Sequence, residues 1–163
     1  MRQGTFRLAL VALPLLTAQA FAQAPSTDEA RIHSLIAAHQ QASERSDLRG
    51  LVDLYAADAE LVFTTGRIVR GHDAIEAYYR ASLETPTARS GRHHTHPTET
   101  IKIRLITPDV APVDVESVNV GGMDSTGTTL PAARSLLATV WRKQSGAWTV
   151  VQQRSIAAPR VAP

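Results

Sequence analysis

The chain has 163 residues, 44% of them hydrophobic and 20% charged, which is the balance of a globular protein with room for one sizeable core. It has no cysteine, so neither a disulfide nor a lipidated cysteine contributes, and packing has to hold the fold. The formal charge of +2 resides in the N-terminal stretch: without Arg2 and Arg7, 15 basic residues face 15 acidic ones, which removes any argument from basicity to nucleic acid or anionic lipid.

Arg2 and Arg7 precede an apolar run from Leu8 to Leu16, and the small residues Ala18, Ala20, Ala22 and Ala24 follow. This is the layout of a signal peptide. Pro14 breaks the run, which is also shorter than the roughly 20 apolar residues a bilayer span requires. Cleavage after Ala22 is therefore expected, giving an exported chain, periplasmic or secreted, with no stable membrane insertion afterwards. Residues 1–22 are assigned to the signal peptide, 26–157 to one domain and 158–163 to a frayed tail.

Ser26-Thr27-Asp28-Glu29 has capping-box spacing, and Ile32, Leu35, Ile36, His39 and Ser43 recur on one face of a helix reaching about Ser46. Asp47 is a suitable N-cap for a second helix, with Leu48, Leu51, Val52 and Tyr55 on its apolar stripe and an end near Asp58. Glu60 to Thr64 and Arg67 to Arg70 read as a hairpin about Thr65-Gly66. Asp73-Ala74-Ile75-Glu76 is a second capping box, opening a third helix with an inner stripe of Ile75, Tyr78, Tyr79 and Ser82 that stops before Pro86.

From His93 the pattern alternates, with Ile101, Ile103 and Leu105 opposite Lys102 and Arg104. Pro108-Asp109 predicts a turn, Pro112 to Val120 a strand, and Gly121 to Thr129 a polar loop. Arg134 to Lys143 and Ala147 to Ile156 form a hairpin about Gln144-Ser145-Gly146. The fold class is thus α+β, a cone in which three N-terminal helices pack on a curved, mainly antiparallel sheet and leave a hollow at the open end.

The order of elements and several local strings resemble the nuclear transport factor 2-like superfamily, and within it the SnoaL-like group that includes SgcJ/EcaC proteins. The strings are Ile32 to Asp47, Leu54-Tyr55-Ala56-Ala57-Asp58-Ala59, Gly66-Arg67, Gly71-His72-Asp73-Ala74-Ile75, Pro108-Asp109-Val110-Ala111 and the Trp141 to Gln152 hairpin with Trp148. The resemblance implies a fold with a pocket and a homodimer through the outer sheet face, where Ile106, Val118 and Val140 form an apolar strip. It implies no particular reaction, because the superfamily spans isomerases, cyclases, hydrolases, dehydratases and proteins without catalysis.

His39 points from the first helix toward the expected hollow, either as a ligand contact with acid or base character or as a core histidine. It is similar in position to the oxyanion-donating tyrosine of ketosteroid isomerases, but Phe63 stands where those enzymes carry their catalytic aspartate. Strand alternation places Trp148, Val150, Gln152 and Arg154 on one face, and Ser135, Leu137, Thr139 and Trp141 on one face of the partner strand. Gln152 and Arg154 would then stand at the mouth, able to meet a carbonyl or carboxylate unless Arg154 pairs with Glu116 or Asp124. Tyr55, Phe63, Tyr78 and Trp141 complete the candidate ligand-binding set, with a part in the core as the alternative. His94 and His96 fall on the outer face by parity, unless a bulge at Pro97 reverses it, and no carboxylate stands nearby at ligand spacing. No metal and no cofactor are expected.

Three functions remain open: an exported domain that binds an apolar or carbonyl-containing small molecule, an enzyme of the same shape using His39 as acid or base, and a non-catalytic structural or interaction protein.

Overall fold

The computed structural model describes residues 27–85, 99–119, 128 and 133–157. In chain order these form α1 (Thr27–Glu44), α2 (Leu48–Val52), β1 (Tyr55–Val62), β2 (Ile68–Arg70), α3 (His72–Leu83), β3 (Glu99–Ile103), β4 (Val110–Asn119), β5 (Ala133–Gln144) and β6 (Ala147–Ala157). The strands make one six-stranded sheet in the order β2-β1-β6-β5-β4-β3. Only β1 and β6 run parallel, so the sheet is mainly antiparallel, as its hairpin-rich sequence predicts.

α1 buries Ile32 and Ile36 against the inner sheet face, where Ala111, Val113, Trp141, Trp148 and Val150 form the main core. Asp28 pins the start of this helix: its Oδ1 accepts from Lys143 Nζ at 2.8 Å and from Trp148 Nε1 at 2.9 Å, both on the far hairpin. The two donors hold the Asp28 carboxyl below its usual range. α2 is capped as expected, with the Asp47 side chain accepting from Gly50 N at 3.1 Å.

The second helix ends at Val52, however, and not near Asp58. Tyr55 begins a strand, and pairing with both β2 and β6 overrides the helical spacing of Leu48, Leu51, Val52 and Tyr55. Asp73 forms no capping box either. The N-cap is Gly71 at φ +82°, with no side-chain cap, which puts Asp73 inside the first turn. The β5–β6 turn places Ser145 and Gly146 both at positive φ, the requirement of a tight two-residue hairpin.

The alternation of Ile101, Ile103 and Leu105 against Lys102 and Arg104 matches half-buried against exposed positions. Ser26, His93, His94, His96, Asp124, the glycine-rich loop from 121 to 127 and the tail from 158 lie outside the described residues, as does the proposed signal peptide. Among the described residues no helix is long and apolar enough to cross a membrane.

Candidate functional site

α1 does not close onto the sheet along its whole length. Between its second half and the inner faces of β4, β5 and β6 lies a hollow of about 520 Å³. The strand register orders its wall in rows. Trp141 and Val150 form one end, followed by Thr139 and Gln153, then Val115, Leu137 and Ser155, and finally Ser117 and Ser135. Ile36, His39, Gln40, Ser43 and Glu44 face these rows from α1.

Most polar groups in the interior are already engaged. Trp141 Nε1 donates to Thr139 Oγ1 at 2.9 Å, and that hydroxyl donates to the Val113 carbonyl at 3.0 Å. The Tyr55 hydroxyl donates to Gln153 Oε1 at 2.6 Å and lies 2.8 Å from the Tyr79 hydroxyl. Because Tyr55 has given its one proton to Gln153, Tyr79 is the donor of that second bond. Desolvation, reinforced by each other's proximity, pushes the Tyr55 phenol well up, and burial takes Tyr79 to about 12, so both stay protonated.

His39 differs from these groups. Its ring stands edge-on to Tyr55 and Tyr79, at centroid distances of 6.1 and 6.2 Å, and its Nε2 is sealed from solvent without a hydrogen-bond partner. Burial pulls the imidazole down to about 4, so it is neutral at pH 7. A neutral imidazole offers one N–H and one acceptor, and leaving a buried polar atom unmatched costs about 1–3 kcal/mol. His39 thus brings to a mostly apolar wall one hydrogen-bonding atom that is unmet and shielded by its neighbours.

Of the residues singled out from the sequence, His39, Tyr55 and Trp141 line the hollow together. Phe63 and Tyr78 do not. Their rings lie 4.5 Å apart, with the Arg67 guanidinium 5.3 Å above Tyr78, beside the β1–β2 turn, where they pack against the main core and Tyr78 meets Tyr79 at 5.4 Å.

Gln152 and Arg154 also fall outside the lining, and a β-bulge is the reason. Trp141 pairs with Val150 whereas Val140 pairs with Gln152, so Val151 has no counterpart on β5. The extra residue reverses the alternation, turning Gln153 and Ser155 inward and Gln152 and Arg154 away. Arg154 is exposed, and Glu116 pairs with Arg134 instead, at 2.8 Å. Sequence reasoning missed Gln153, because no glycine or proline marks the bulge. It also missed Glu44, although the step of four from Gln40 along α1 was a readable signal.

A helix-backed, curved and unclosed sheet around such a hollow defines the nuclear transport factor 2-like, or cystatin-like, class of fold. Solved structures agree. A cystatin-like-fold protein from Caulobacter vibrioides superposes with TM-score 0.65 at 22% identity, covering 79% of this chain and 88% of that one. A ketosteroid isomerase-like protein from Erwinia carotovora atroseptica gives TM-score 0.65 at 19% identity, over 84% of this chain and 98% of that one. An NTF2-like protein from Novosphingobium aromaticivorans gives 0.61 at 21%, over 83% and 84%. These likenesses establish the fold. The model of the SnoaL-like domain family matches residues 24–154, and the chain belongs to that family. No curated protein matches it.

Proposed function

We propose that this SnoaL-like domain binds a small molecule with a mainly apolar body and an uncharged polar group, a carbonyl or hydroxyl, that hydrogen-bonds to His39. The observation that carries the reading is a largely apolar hollow of about 520 Å³, within the size range of small-molecule sites, with the unpartnered Nε2 of His39 buried in its wall, where a turn of the imidazole brings it to a ligand. Trp141, Val150 and Leu137 supply apolar surface for the body, and Nε2 supplies orientation.

Catalysis with His39 as acid or base is the weaker reading. Proton transfer near neutral pH favours a group whose pKa lies close to the pH, whereas burial holds His39 near 4 and raises both tyrosines. The volume of the hollow likewise argues against an interior filled by its own side chains. We also propose export, on the strength of the Arg2-to-Ala22 pattern, and a homodimer through the outer sheet face, where Ile106 is 57% exposed. SgcJ/EcaC membership remains part of the proposal.

Native mass spectrometry of protein purified from its own host tests the binding reading. A co-purifying small molecule that is lost in His39→Ala is the expected result. A ligand retained equally by the variant would overturn the role of His39, and rapid turnover that collapses in His39→Ala would favour the enzyme.

A further inference from the structure

The charge at the mouth of the hollow has the opposite sign to the one the strand alternation predicts. Parity alone would place the Arg154 guanidinium there, ready for a carboxylate. The Val151 bulge turns Arg154 away, and among the described lining residues the only charged side chain is Glu44.

Glu44 is placed unfavourably for an isolated protein. It is the last residue of α1, whose final turn holds no basic residue, so its carboxylate lies at the negative end of the helix dipole. Asp28, Asp58, Glu60 and Glu116 each have a lysine or arginine partner, but Glu44 has none among the described residues. Arg45 follows it, exposed and outside the lining. Helix end and carboxylate together make the mouth negative, and with His39 neutral no group among the described lining residues offsets that charge. An anion entering here meets repulsion and finds no cation among the described lining residues to replace its water. A cation that leaves its charge at the rim and inserts an apolar body avoids the burial penalty.

We infer that the ligand is a lipophilic amine, protonated at neutral pH, whose ammonium group rests against Glu44 while its hydrocarbon body extends past His39 toward Trp141. The inference rests on the reading of the hollow as a ligand site, narrows its ligand class and excludes carboxylates. His39 Nε2 then meets the uncharged carbonyl or hydroxyl carried along the body of the ligand.

Three probes of one shape test this: adamantylmethylamine, adamantylmethanol and adamantanecarboxylate, titrated into the mature protein by calorimetry at pH 7 and low salt. The amine should bind about two- to fivefold more tightly than the alcohol, the range of a solvent-exposed ion pair, and the carboxylate most weakly. Glu44→Gln should bring the amine-to-alcohol ratio to near unity, and added salt should do the same. Binding of the alcohol with no amine preference, or a ratio unchanged in Glu44→Gln, overturns the amine inference and leaves the ligand site standing. Failure of all three probes to bind overturns both.

Discussion

Acidification should destabilise this protein through one buried imidazole. His39 titrates near 4 in the folded chain, against 6.5 for an unperturbed histidine, because burial disfavours its charged form. Between those two values the unfolded chain binds the extra proton and the folded chain does not, so stability falls as pH drops from 6.5 toward 4. The separation corresponds to about 3 kcal/mol, a large part of the roughly 5–15 kcal/mol that holds a domain together. Asp28 and Asp58, held down by hydrogen bonds from Lys143 and Trp148 and from Arg142 respectively, stay ionised across this window, and their contributions are lost only at lower pH. Urea denaturation at half-unit steps from pH 7.5 to 4, on wild type and His39→Leu, isolates the term. The leucine variant should match wild type within about 1 kcal/mol at pH 7, since it replaces an unsatisfied polar atom with an apolar group, and it should lose most of the slope between 6.5 and 4. Equal slopes in the two proteins would refute the assignment of that window to His39.

Tyr55→Phe should cost about 1–3 kcal/mol in the same assay, because it leaves Gln153 Oε1 and the Tyr79 hydroxyl buried without their shared partner. Gly50→Ala should cost about 1–3 kcal/mol, since its added Cβ would lie 2.7 Å from the Ala42 Cβ and 2.9 Å from the Asp47 side chain at the α1–α2 elbow. Gln153→Leu should weaken binding of adamantylmethanol, while Arg154→Ala leaves it unchanged, because only Gln153 faces the hollow. Light scattering at high protein concentration should give twice the monomer mass, and Ile106→Lys should shift it toward the monomer.

Much of the architecture is readable from periodicity. The stripe Ile32, Leu35, Ile36 and His39 and the alternation from Ile101 to Leu105 each bury one face, so their spacing directly encodes an inner side. His39, Tyr55 and Trp141 follow from that side. What was not legible depends on contacts distant in sequence. Tyr55 lies on a helical stripe but joins a sheet because β6, nearly a hundred residues later, pairs with it. Val151 resembles its neighbours, yet its lack of a partner across the hairpin decides that Gln153 enters the hollow and Arg154 does not. A single unpaired residue thus changes both the identity and the sign of the groups a ligand meets.

The most direct test of the central claim is a long-range proton–nitrogen correlation spectrum of the His39 imidazole at pH 5, recorded with and without adamantylmethanol. The account predicts a neutral ring whose Nε2 resonance moves as the probe binds. A protonated ring at pH 5, or an Nε2 that stays still while the probe binds elsewhere, would contradict it.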